Sequence, residues 1–220
     1  MAESLYDFEG IIDILKTNFD RTTAPSVTLI SNTLKKPYNI LISTIISLRT
    51  KDQVTLKASQ RLFEKAPDIF ALNSMNVDDI EQIIYPAGFY KTKARNLKSI
   101  AKILVENNGG IIPDTMDELL KLPGVGRKTA NLTLILGYQK SGICVDTHVH
   151  KISNRLGWVN AKTPEETEFA LMKLLPERFW RVINDYLVSY GQTVCVPVSP
   201  FCSKCGLENI CQKNNITRNR

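Results

Sequence analysis

The sequence predicts an all-α protein, and three observations predict it. Apolar residues recur at the three- and four-residue spacing of helices from Leu5 to Tyr190, no convincing pair of alternating strands is present, and the polar or Gly- and Pro-bearing breaks between periodic segments are short. Residues 5–18, apolar at 5, 8, 11, 12, 14 and 15, read as an amphipathic helix. Residues 20–37, rich in Thr, Ser and Asn, read as a linker in which 27–30 form a short extended piece. Pro37 suits the first turn of a buried helix over 38–48, and the polar break 47–52 separates it from a helix over 53–65 that Pro67 stops. Residues 68–73 supply one or two turns and 77–84 a short helix closed by Pro86-Ala87-Gly88. From Phe89 a long helix runs to 107, where Asn108-Gly109-Gly110 ends it. Further helices are expected at 116–122, 128–136, 146–156 capped by Asp146, 163–174 capped by Thr163, and 179–190.

The chain has 220 residues, 43% of them hydrophobic, which is material for one large or two small domains with a real core. Lys and Arg exceed Asp and Glu by 28 to 22, a formal +6 that favours a polyanionic partner. No apolar run reaches the roughly 20 residues that span a bilayer, and Met1-Ala2-Glu3-Ser4 lacks the regions of a signal peptide. A prokaryotic cytoplasmic protein bound to no membrane is therefore expected, and a monomer is expected as well. Five cysteines, four of them crowded between 195 and 211, then suit a metal better than disulfides.

Leu122-Pro123-Gly124-Val125-Gly126-Arg127-Lys128-Thr129-Ala130 places two glycines around one apolar residue between two helical segments, the pattern of a tight hairpin. The amides of such a turn and the open start of the next helix hold a phosphate oxygen without reading base sequence. Gly-Val-Gly-Arg-Lys-Thr is not a Walker loop, which needs four residues between its first Gly and Gly-Lys-Thr and a strand before it. Read by themselves, Lys128 is a solvated lysine or a phosphate contact, and Asp146 before Thr147 is a helix N-cap. Cys195, Cys202, Cys205 and Cys211 have the spacing C-x6-C-x2-C-x5-C, and four thiolates so close select zinc or an iron-sulfur centre. Cys144, in an apolar approach to Asp146, reads as a small core residue, and His148 and His150 as packing or hydrogen-bonding groups.

The hairpin motif with Lys128, the Val145-Asp146-Thr147-His148 segment and the cysteine cluster stand in the order found in endonuclease III, and over nearly its whole length the chain resembles that helix-hairpin-helix DNA glycosylase family. The resemblance implies two helical lobes flanking a DNA-binding cleft, residues 30–140 as the helix-hairpin-helix domain and 1–29 plus 141–220 as the iron-sulfur domain. It implies a [4Fe-4S] cluster on Cys195, Cys202, Cys205 and Cys211, damaged double-stranded DNA as partner, and a bifunctional glycosylase and abasic-site lyase acting on oxidised pyrimidines. Lys128 would be the nucleophile and Asp146 its assisting carboxylate. Gly124, Val125, Gly126 and Arg127 would grip the backbone. Arg49 and Phe89, where the family often has glutamine and leucine, would fill the gap left by an extruded base, with Lys91 and Lys93 on phosphates. Those two departures leave room for a thymine or uracil mismatch glycosylase, and a non-catalytic iron-sulfur DNA-binding or redox-sensing protein is the alternative of another class. The segment 196–201 lacks the basic residues the family places there, Lys204 being the nearest substitute.

Overall fold

Residues 6–22 and 24–220, which the computed structural model describes, contain helices and turns and no strand. The first helix, α1, spans Phe8–Phe19, and Asp7 caps it by accepting the Gly10 N–H. Phe8, Ile11, Ile12 and Leu15 are its buried stripe. The expected start at Leu5 lies outside the described residues.

The stretch expected to be linker and extended chain is instead a helix, α2, Ser26–Thr33. Val27 and Ile30 lie one turn apart on its buried face, and the hydroxyls of Ser31 and Thr33 turn back onto the Thr28 and Ile30 carbonyls. Its first amide, Ser26 N–H, is accepted by Asp52 Oδ1 at 3.0 Å. The capping acceptor thus comes from far along the chain, so local sequence carries no sign of it.

Helix α3, Pro37–Ser47, is buried at every position from Tyr38 to Ile46; most of these are apolar, and the hydroxyls of Ser43 and Thr44 are satisfied by donating to the Ile40 carbonyl. Helix α3 packs against α2, α4 (Asp52–Lys65) and α7 (Tyr90–Asn108), which ends on Gly109 at φ +57°, while α5 (Ile69–Ser74, capped by Asp68) and α6 (Val77–Ile84) pack on α7. Helix α8, Met116–Leu120, begins at Thr115, whose hydroxyl accepts from Glu118 N–H and donates to the Glu118 carboxylate. Helix α9, Arg127–Leu132, continues as one wider turn through Thr133–Gly137, where a Cβ on Gly137 would lie 2.9 Å from Pro37 Cα. These elements form one compact unit, Ser26–Lys140.

The second unit joins Met1–Pro25 to Ser141–Arg220. It holds α10 (Thr147–Leu156), α11 (Pro164–Leu174, capped by Thr163) and α12 (Trp180–Thr193), followed by short turns at Cys202–Lys204 and Glu208–Ile210. Helix α1 packs on α12, with Phe19 against Tyr186 and Asn18 Oδ1 accepting from the Ser189 hydroxyl. Phe8, Leu15, Val149, Ile152, Leu171, Ile183 and Leu187 form the centre of its core. Among the described residues no helix is long and apolar enough to cross a membrane.

Candidate active site and cysteine cluster

The hairpin between α8 and α9 is pinned by Leu122 and Val125, both buried, with Val125 N–H donating to Leu122 O at 3.1 Å. Its two glycines do different things. Gly124 sits at φ +75°, a conformation side chains resist, and its Cβ would also meet Asn96 Nδ2 at 2.3 Å. Gly126 is extended at φ −100° and ψ 177°, and no atom lies within 4 Å of where its Cβ would be. The second glycine therefore leaves open space next to the first turn of α9, which no side chain caps. Arg127 and Lys128 occupy that turn, each partly exposed.

In the same unit, Arg49 and Phe89 are exposed on two neighbouring loops, with the Arg49 guanidinium 5.5 Å from the Phe89 ring centroid. Lys91 is exposed at the start of α7. The expectation for Lys93 is overturned. Its side chain is buried, 5% exposed, and its ammonium donates to Ile46 O, Leu48 O and Thr50 Oγ1 instead of facing phosphate. Burial pushes its pKa down to about 8 from the usual 10.5. The physical reason is position: Lys93 precedes Ala94 and Leu97 on the inner face of α7, and the three oxygens satisfy its three donors.

Asp146 belongs to the other unit. It caps α10, its Oδ1 accepting from His148 N–H at 2.8 Å and Val149 N–H at 3.0 Å, so two backbone groups fix the carboxylate in place. His148 packs on α12, where a Cβ on Gly191 would come within 2.3 Å of its Nδ1, and His150 Nδ1 pairs with Thr167 Oγ1 at 2.7 Å. Cys144 is 1% exposed in the core.

Cys195, Cys202, Cys205 and Cys211 all line one pocket, together with Arg155, Tyr190 and Phe201. Arg155, 6% exposed, donates to the Cys195 Sγ and to the carbonyls of Cys195, Val196 and Pro197. Tyr190 Oη lies 3.1 Å from Cys205 Sγ. Burial pushes the thiols of Cys195, Cys202 and Cys211 up, while Arg155 pulls Cys195 the other way. Among the described residues no three His, Cys, Asp or Glu side chains converge as a single ion requires.

The HhH-GPD superfamily base excision DNA repair protein model matches residues 42–177, which hold the hairpin, Lys128 and Asp146. The chain is 51% identical to the protein named Endonuclease III of Thermotoga maritima over 176 residues, 80% of this chain and 83% of that one. This chain belongs to the endonuclease III family. It is also 46% identical to Endonuclease III-like protein 1 of Gallus gallus, over 79% of this chain and 63% of that longer protein. A solved structure described as a trapped endonuclease III-DNA covalent intermediate is 30% identical, covers 95% of this chain and 97% of its own, and has a TM-score of 0.77.

For an endonuclease III-family chain the distribution of candidates is plain. Ser26–Lys140 contains the hairpin, Lys128, Arg49, Phe89 and Lys91, while the other unit contains Asp146 and the cysteines. Sequence reasoning missed Arg155 and Arg220. Arg155 stands one turn after Ile152 on the buried face of α10, a charge in phase with apolar residues, which is a readable signal. Arg220 gives none: it reaches back so that its guanidinium lies 3.9 Å from the Phe201 ring centroid and its Nε donates to Ser199 O. The cysteine loop thus has a basic neighbour after all.

Proposed function

We propose that this chain is a bifunctional DNA glycosylase and abasic-site lyase that removes oxidised pyrimidines from duplex DNA. The observation that carries the reading is a lysine, Lys128, in the first turn after the Gly-Val-Gly hairpin of an endonuclease III-family chain. The hairpin holds backbone phosphate through its amides, sequence-independently, and Arg127 and Lys91 add charge. Lys128 Nζ attacks C1′ as its neutral amine and the damaged base leaves with the electrons of the glycosidic bond. Positive charge develops on the sugar as that bond breaks, and the Asp146 carboxylate, already oriented by two backbone N–H groups, stabilises it without reorganisation. The amine nitrogen then loses its proton and its lone pair expels O4′, which takes up a proton as the sugar ring opens, leaving a C1′ imine; the imine acidifies C2′–H, loss of that proton drives β-elimination of the 3′ phosphate, and water hydrolyses the imine to free the lysine.

Cys195, Cys202, Cys205 and Cys211 would hold a [4Fe-4S] cluster, with Arg155 and Tyr190 directed at two of the sulfurs. When bound, the cluster supplies a core charge of about +2 against four thiolates, roughly −2 net, and a covalent tie for a segment with little apolar material of its own. Iron and acid-labile sulfide assays of anaerobically purified protein are expected to find four of each per chain; stoichiometric zinc without sulfide would replace this assignment.

Two glycine variants separate the hairpin's fold from its grip. Gly124→Ala is expected to cost about 1–2 kcal/mol of stability because it forces a side chain to positive φ. Gly126→Ala is expected to stay within about 0.5 kcal/mol of the parent while weakening binding to undamaged duplex, since its methyl fills the space next to the phosphate site. Denaturation midpoints and electrophoretic mobility shifts give the two readings. Parental binding by Gly126→Ala in the mobility shift would mean that the open space at Gly126 has no role in binding.

The function itself is tested by borohydride trapping on paired duplexes, one carrying an abasic site and one thymine glycol. An adduct with both is expected. Trapping of the abasic duplex alone would keep the lyase and move base specificity toward mismatches. No adduct with either would leave a DNA-binding scaffold.

A further inference from the structure

Arg49 and Phe89 are not independent fingers. Both residues adopt left-handed backbone conformations, φ +51° and +57°, which non-glycine residues keep only where surrounding structure holds them. What holds them is Lys93. Its buried Nζ donates to Ile46 O at 2.6 Å, to Leu48 O at 2.6 Å and to Thr50 Oγ1 at 2.8 Å, all at the end of α3 or in the loop carrying Arg49. Thr50 Oγ1 in turn accepts from Gly88 N–H at 3.0 Å, in the turn carrying Phe89. The two backbones are so close that a Cβ on Gly88 would lie 2.3 Å from Arg49 O. A buried ammonium is a costly way to fill space, and an apolar side chain of similar length would pack there more cheaply. Three fixed donors aimed at loop oxygens are what only the charged lysine provides.

We propose that Lys93 is a positioning residue that locks the Arg49 loop to the Phe89 turn, so that guanidinium and ring enter the duplex as one preassembled wedge. The inference rests on the glycosylase reading above and adds to it the part that holds the gap-filling pair ready. Extruding a base leaves a hole that must be filled at once. If the two loops had to be ordered at that moment, the entropy of ordering would be charged against base extrusion. With the lock in place it is met during folding. The lock therefore matters where a paired base must be expelled, and little where the base is already unpaired.

The test compares Lys93→Met with the parent on thymine glycol in a fully paired duplex and in a bulge, by single-turnover excision, with 2-aminopurine opposite the lesion to report loss of stacking. The duplex-to-bulge rate ratio is expected to fall about tenfold or more, together with the 2-aminopurine signal. Thr50→Val keeps the lysine, removes only the hydroxyl joining the two loops, and should move the same ratio in the same direction. Equal losses on duplex and bulge, or an unchanged ratio in both variants, would overturn the lock. A parent protein that excises from neither substrate overturns the glycosylase reading and the wedge with it.

Discussion

Lys128→Gln is expected to bind abasic duplex within a few-fold of the parent and to leave no covalent adduct after borohydride reduction, with excision slowed on the order of 10³-fold or more. Glutamine retains most of the length and polarity of the side chain but has no amine lone pair for C1′, so the imine cannot form. In the proposed grip, binding is spread over the hairpin amides and over Arg127 and Lys91 as separate phosphate contacts, so it is expected to survive the loss of one lysine. The position on α9 also limits collateral damage: Lys128 is partly exposed in the first helical turn, where a glutamine is a comparable helix former. Gel shift and trapping on one preparation give the result. Retained trapping would move the nucleophile to another amine, and lost binding would make Lys128 chiefly a phosphate contact.

Asp146→Asn is expected to leave stability within about 0.5 kcal/mol of the parent while slowing excision about 10²–10³-fold. The separation follows from the geometry. One oxygen, Oδ1, takes both N–H bonds that start α10, and asparagine caps helices about as well as aspartate, its amide oxygen replacing the carboxylate oxygen. What asparagine removes is the negative charge that, in the proposed mechanism, stabilises the sugar cation. Melting temperature and single-turnover rate, measured side by side, read the two roles. A variant of parental rate would reduce Asp146 to a cap; a variant that loses rate and about 1 kcal/mol or more of stability together would show that orientation, and not charge, is its contribution.

The candidate site was legible in the sequence to unequal depth. The spacing of Cys195, Cys202, Cys205 and Cys211 needs no structure to be noticed, and the four thiols line one cavity. The caps Asp146 and Thr163 and the terminating Gly109 act on residues within one turn of themselves, so each is local enough to read. The hairpin motif is equally local, yet identical letters hid different work at Gly124 and Gly126, because φ is set by the path between α8 and α9 and not by residue type.

By itself, then, the sequence determined the helical class, most helix boundaries, the hairpin and the cysteine set, since these depend on side-chain period and on contacts between residues a few positions apart. Only the tertiary structure decided that 26–33 is a helix, because its first amide is met by Asp52. It alone turned Lys93 inward, because the acceptors are carbonyls and a hydroxyl more than 40 residues earlier in the chain. It alone brought Arg155 to the Cys195 sulfur and Arg220 to Phe201. A charged side chain reads as solvated until its partners are known, and for Lys93, Arg155 and Arg220 those partners are distant in sequence and supplied by the fold.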